Sequence, residues 1–376
     1  VKLCFVGGGW RTLSGIPDGG SERQIALLAS ALAARGHSVT LVVPGLRSPS
    51  SGPSDVTAIP GWDPSRGWPR GLRLFTSRLP QLRAVLEEVG ADCYYSRGFS
   101  LFAPSMVAVA GRLRALSVTA LACDDDLRFR PLSGGAGGSR SERLGYGILA
   151  RRYFIAGALR KADLVLAQTS GQREACSSMG IRSEMLGNAF VPPDPAPACD
   201  TAVRDAVWLG HLSAFKGVGS LLSLLPMLPG LRIAVAGAVQ SAGAAGVPRA
   251  LRDLGAEYLG EVSHDRAMEL LGSSRMLLNT SPAEGFSNAF LEAWFLGRPV
   301  VSLLADPDGL LSGPGAAGFC GRGDLAAMAG AVLRLASDGE ARRAAGEAGR
   351  RRVMSRHMLG AVVDEFERLV RERSDS

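Results

Sequence analysis

Two glutamates eight positions apart, Glu284 and Glu292 in SPAEGFSNAFLEAW (281–294), are the residues of this sequence best suited to chemistry. Glu284 precedes a glycine, Ser287 is a natural helix cap, and Asn288 through Leu296 carry an apolar helical face, so Glu284 falls on a loop and Glu292 one turn or more inside a helix. The residues between them, Gly285, Phe286, Ser287, Asn288, Ala289 and Phe290, surround the helix start, where unpaired N–H groups and the helix dipole attract a diphosphate. An ionised carboxylate accepts hydrogen bonds from vicinal hydroxyls. The spacing therefore points to a nucleotide sugar, with its sugar at Glu284, its diphosphate at the helix start and its ribose at Glu292. The acid and nucleophile of a glycosidase are the competing reading, but a glutamate set in the helix behind the phosphate position is poorly placed to reach an anomeric carbon.

A diphosphate needs positive charge. Of 42 basic residues only three are lysine, and one of them, Lys216, lies in the glycine-flanked turn GHLSAFKG (210–217), five positions after His211. Both follow a strand, so both are expected at its carboxyl end, with Lys216 neutralising charge that develops on a phosphate and His211 contributing only when protonated. A second glycine-rich loop, GGGWRTLSGIPDGG (7–20), joins the first strand to the first helix. It lacks the tight turn and the acidic residue after the second strand that a dinucleotide fingerprint requires, and no GK[ST] motif occurs. Gly19 and Gly20, just before Ser21, are instead read as letting backbone N–H groups approach an anion, with Ser21 and Gln24 forming a capping box. In LACDDDLRF (121–129), Asp124, Asp125 and Asp126 leave a strand; one of them capping a turn and one of them facing a ligand are both open readings. His37 reads as structural, and His264 and His357 as helix-start or surface residues. No histidine pair has metal-ligand spacing, so no metal is expected.

The elements that must hold these residues alternate short apolar runs with amphipathic stretches, the pattern of βα units on mostly parallel sheets. Strands are read at 2–7, 38–44, 92–96, 118–123, 163–168 and 184–187, and a second series at 206–212, 231–237, 257–260, 275–281 and 299–304. Between the series lies NAFVPPDPAPACD, too rich in proline for helix or central strand. The chain is thus divided into an N-terminal domain (1–190), a proline-rich linker (191–200), a C-terminal domain (201–355) and a C-terminal helix (356–376) able to pack back on the first domain. Its class is α/β: two doubly wound Rossmann-like domains facing a central cleft lined by strand-to-helix loops. SGGAGGSRS (133–141) reads as a mobile loop.

The totals exclude several classes. A length of 376 residues suits two domains, and no apolar run reaches the roughly 20 residues of a membrane span. The net charge of +7 comes from arginines spread along the chain without interleaved aromatics, so no nucleic-acid partner is expected, while anionic lipid headgroups or a phosphorylated substrate stay open. Six scattered cysteines without a CxxC pair read as buried free thiols. With an opening, VKLCFVGGGW, that has no secretory pattern, these features set the expectation of a cytoplasmic protein, with peripheral attachment to the inner face of a membrane left open.

Three segments together resemble family 4 glycosyltransferases. EGFSNAFLEAWFLGRPVVS (284–302) is similar to that family's E-x7-E block followed by G-x-P-V-V; GGSERQIALLASALAARGHSVTLV (19–42) and LRKADLVLAQTSGQREACSSMGI (159–181) support the likeness, and ADPDGLL (305–311) is similar to a bacterial branch that decorates polysaccharides and other glycoconjugates. The resemblance implies the GT-B fold and a retaining, metal-independent transfer of a sugar from a nucleotide-diphosphate donor to a hydroxyl acceptor, lipid-linked acceptors included, with no cofactor beyond the donor itself. It implies that Glu284 contacts the donor sugar, Glu292 the ribose and Lys216 the diphosphate, with Gly19 and Gly20 lining the same pocket. Two departures stand out: His211 replaces the usual arginine, and Asp125, or Asp124 in an alternative register, replaces a frequent histidine. These departures keep open a catalytically silent nucleotide-sugar binding protein as an alternative, and a nucleotide-sugar epimerase on the same two-domain architecture is another.

Overall fold

The computed structural model describes all residues except 17–18, 45, 47, 52–54, 64, 68–72, 99–101, 129–155, 195–201, 241–243 and 376. The chain divides into two compact units, Val1–Ala189 with Leu359–Ser376, and Phe190–Met358.

The first unit is built on β1 (Lys2–Val6), β2 (Ser38–Val43), β3 (Ser50–Ser51), β4 (Thr57–Pro60), β5 (Cys93–Arg97), β6 (Leu116–Ala120), β7 (Leu164–Ala167) and β8 (Glu184–Met185), ordered β3-β4-β2-β1-β5-β6-β7-β8. All neighbours run parallel except β3 against β4. Parallel strands are covered on both faces and so read as nearly unbroken apolar runs. On one face Phe5 and Tyr95 pack beneath helices α1 (Gly20–Ala34) and a C-terminal helix, Leu359–Ser374. On the other, Cys4, Val6 and Tyr94 join Leu82 and Met106.

The second unit carries β9 (Ala206–Leu209), β10 (Ile233–Ala236), β11 (Glu257–Tyr258), β12 (Leu277–Asn279), β13 (Val300–Ser302) and β14 (Gly318–Cys320), all parallel, in the order β11-β10-β9-β12-β13-β14. Trp208 and Val235 face one core, Val207 and Ala234 the other. Helix α2 (His264–Gly272) and helix α3 (Asn288–Phe295) cover the second face, α3 contributing Phe290, Leu291 and Trp294. The two parallel sheets with covering helices are the expected α/β architecture.

Every strand read from the sequence is present, most of them shorter than read, while β5 runs on to Arg97 and β6 begins earlier, at Leu116. β3, β4 and β14 went unread, because strands of two to four residues carry little periodicity. The Ser21–Gln24 capping box is not formed: α1 begins at Gly20, with Gly19 rather than Ser21 as its cap and no side-chain cap bond. Gln24 instead donates to Ala189 O (2.8 Å) and accepts from Ala189 N (2.7 Å), a buried clamp that satisfies both ends of its amide. His357 is not a surface residue; it is buried, with its ring 4.7 Å from that of Phe286. His37 pairs with Glu367 of the C-terminal helix (3.0 Å). Cys4, Cys93, Cys176 and Cys320 are buried free thiols, Cys123 is partly exposed, and Cys199 lies outside the described residues, as does the 133–141 loop.

Candidate functional site

In the second sheet the winding direction reverses between β9 and β12. The loops that leave the carboxyl ends of two such strands diverge, and the crevice they leave is where ligands of open α/β sheets bind. The loop after β9 carries His211 and Lys216; the loop after β12 carries Ser281 and Glu284.

These two loops are locked together. Gly217 adopts φ +69, and a Cβ there would run into the carbonyl oxygen of Thr280, so only glycine lets the backbones meet this closely. The Thr280 hydroxyl donates to Lys216 O (3.1 Å) and accepts from Trp208 Nε1 (3.0 Å). So held, Lys216 Nζ lies 2.5 Å from Glu284 Oε1, which also accepts from the Ser281 hydroxyl at 2.8 Å. The pair is half buried, with side-chain exposures of 26% for Lys216 and 11% for Glu284. A partly desolvated ion pair of this kind is held by geometry rather than by chance surface contact.

His211, exposed at the start of its loop, has its imidazole held below the ordinary value of 6.5, first by desolvation and then by the positive charge of Lys216, with Glu261 opposing. It is therefore neutral at pH 7.

Ser287 occupies the N-cap of α3, as read from the sequence, but its side chain makes no capping bond. Among the described residues no hydrogen bond takes up the amides of Ser287 and Ala289. The Phe290 amide is not available: it donates to Ser287 O (3.1 Å). The rings of Phe286 and Phe290 are buried core, edge-on and tilted against Trp294, so neither side chain is presented to a ligand. Gly285 is likewise buried, and Asn288 opens the helix. Glu292, on the fifth residue of α3, is 7% exposed, and its Oε1 lies 3.8 Å from Nδ1 of His264, the first residue of α2. The sequence reading missed His264 as a companion of Glu292. Its signal was a helix-start position directly after a carboxyl-end loop, but nothing in spacing links residues 264 and 292.

In the first unit, the Gly7–Gly9 loop and the start of α1 close around the chain's own Glu22. A Cβ on Gly8 or Gly19 would strike the Glu22 side chain, so the chain's own carboxylate lies against Gly19, beside the position read for an anion. Asp126 takes the turn role among the three aspartates, accepting from Ala122 N (2.6 Å) and Cys123 N (3.1 Å). Asp124 accepts from Gln172 Nε2 (3.0 Å), and the side chain of Asp125 lies outside the described residues. The structure thus brings Lys216, Glu284 and Ser281 together and sets Glu292 beside His264.

Among the described residues no helix is long and apolar enough to cross a membrane. Two family models match the chain: the glycosyl transferase 4-like domain over residues 19–189 and the glycosyl transferases group 1 over residues 204–338. No curated protein sequence matches. Among solved structures, a sucrose-phosphate synthase from Thermosynechococcus elongatus is similar with a TM-score of 0.76 at 18% identity, covering 99% of this chain and 98% of that one. HepE of Anabaena, solved in complex with UDP, matches with a TM-score of 0.72 at 16% identity over 99% of this chain and 100% of that one. A glycosyltransferase from Rickettsia africae gives 0.67 at 14% identity, over 99% and 98% of the two chains. At these identities the likeness establishes a shared fold.

Proposed function

The chain belongs to the family 4 glycosyltransferases, with the GT-B fold, and from that premise we propose that it is a retaining enzyme that moves a sugar from a nucleotide diphosphate to a hydroxyl acceptor. The observation that carries this reading is the Lys216–Glu284 pair at the switch point of the second sheet, in the same loop system as the open start of α3. Lys216 has three N–H donors and gives one to Glu284, which leaves two for diphosphate oxygens. The ammonium and the α3 dipole stabilise the negative charge that grows on the diphosphate as the sugar departs. Glu284, partly desolvated, offers its carboxylate to sugar hydroxyls, and Glu292, with His264 beside it, to the ribose.

HepE has been solved with UDP-glucose as well as with UDP, which supports a uridine donor as the first to try. On this reading the departing phosphate takes up the acceptor's proton, and no metal is required. The acceptor belongs to the glycoconjugate or polysaccharide class, and the protein works in the cytoplasm.

The test is incubation with UDP-, GDP- and TDP-sugars without acceptor, following nucleotide diphosphate and sugar products separately. Slow release of nucleoside diphosphate with free sugar of unchanged anomeric configuration is expected. Tight binding with no release would favour a silent binding protein, a new nucleotide sugar without release would favour an epimerase, and no binding of any donor would sink all three readings.

A further inference from the structure

The first sheet has its own reversal of winding, between β1 and β5, and its carboxyl end holds a cation that the donor site does not use. Arg97 is the last residue of β5. It follows Tyr95 by two positions, so it points to the face shared with Phe5 and α1. Its Nη2 donates to Asn188 Oδ1 (2.6 Å), and Asn188 is 3% exposed and adjoins Ala189, the residue clamped by Gln24 of α1. The guanidinium is therefore held at one end by a buried amide, next to the residue that Gln24 clamps. Its Nε is shielded from water and has no hydrogen-bond partner among the described residues, and no carboxylate there pairs with it.

A shielded guanidinium N–H without a partner is destabilising, the more so for a charged group, unless something supplies the missing acceptor. The neutral Asn188 cannot supply a negative charge. The nearby glycine cradle cannot recruit an anion in its place, because Glu22 already puts a carboxylate there and would repel a second. A planar, permanently charged fork at a switch point suits phosphate or carboxylate better than it suits a neutral hydroxyl.

We propose that Arg97 is a specificity residue on the acceptor side, taking the phosphate or carboxylate of an anionic acceptor at the switch point of the first sheet. This rests on the glycosyl-transfer reading, because it assumes that the donor's own diphosphate is bound by the second unit.

The test is calorimetric titration of the full chain with inorganic phosphate, glycerol 3-phosphate and glucose 6-phosphate, and with neutral glycerol and glucose, each in the presence of saturating UDP. Wild type should bind at least one anionic probe and neither neutral one. Arg97→Gln should bind that probe about 10-fold or more weakly, Arg97→Lys should recover part of the loss, and UDP affinity should be the same in all three proteins. Equal affinity in Arg97→Gln, equal binding of the neutral probes, or no anionic binding in wild type would each overturn the proposal. So would a UDP affinity that falls with Arg97→Gln, since Arg97 would then belong to the donor diphosphate. A wild type that binds a phosphorylated probe but no UDP would instead sink the donor reading and leave the Arg97 contact standing.

Discussion

At the level of single residues, the ion pair of Lys216 and Glu284 fixes what each can do. With its ammonium already oriented by Glu284 and its backbone by Thr280, Lys216 needs little rearrangement when charge develops on a phosphate, which is where preorganised donors have their effect. Lys216→Ala should lower the rate of nucleotide release by about 100-fold or more, on the scale of losing one such donor. Because that change also strands the partly desolvated Glu284, the double variant Lys216→Ala/Glu284→Gln serves as a folding control; a single variant with near-normal turnover would remove Lys216 from the site. His211 gives a signed pH effect. Its imidazole titrates below 6.5 in the free protein, so protonation is disfavoured in the fold, and the stability this group confers is full above 6.5 and falls as pH drops through its lowered value. A diphosphate nearby reverses the preference, so binding takes up a proton and UDP affinity should rise as pH falls below 6.5 more steeply in wild type than in His211→Gln. The phosphate titration of UDP itself is common to both proteins, and identical slopes would place His211 away from the diphosphate.

At the level of elements, the site depends on two loops meeting backbone to backbone. Gly217, at φ +69 and against Thr280 O, has no room for a Cβ, so Gly217→Ala should push the Lys216 turn away from the Thr280–Glu284 loop. A loss of about 2 kcal/mol or more in stability by denaturant unfolding is expected, together with weaker UDP binding. Unaltered values in both would mean that the two loops are not coupled. The elements themselves were largely legible in the sequence because parallel strands are long apolar runs with loops between them. The Glu284 loop, the Ser287 cap position and the helix that follows were readable from residue type and spacing alone. What could not be read was long-range partnership: Gln24 looked like half of a capping box, yet its amide is used 165 positions away at Ala189. Arg97 meeting Asn188 and His264 meeting Glu292 are of the same kind, contacts set by strand order rather than by local pattern. Phe286 and Phe290 were read only as bearers of backbone N–H groups at a helix start; that their rings belong to the core is again a matter of packing rather than spacing.

At the level of the whole molecule, the order of the chain and the order of its packing differ. The first unit is closed by Leu359–Ser374, a helix that the chain reaches only after completing the second unit. That helix buries Val362, Val363, Phe366 and Leu369 in the first core, with the Phe366 ring 5.9 Å from Tyr95, and Arg35 ties it from outside through Asp364 (2.7 Å) and Glu367 (2.8 Å). Four such side chains at roughly 1.5 to 3 kcal/mol each amount to about 6 to 12 kcal/mol as an upper figure, close to the entire stability of a typical domain. The exposed arginine pairs add little to this. Removal of residues 359–376 should therefore unfold or aggregate the first unit while the second keeps its own sheet and cores. Thermal unfolding of the truncated chain, with UDP present, should show a low-temperature transition that UDP does not move and a second that UDP raises, because a ligand stabilises only the unit that binds it. One unshifted transition at the wild-type temperature would show that the first core closes without its last helix, and that the 359–374 segment is a surface attachment rather than part of the fold.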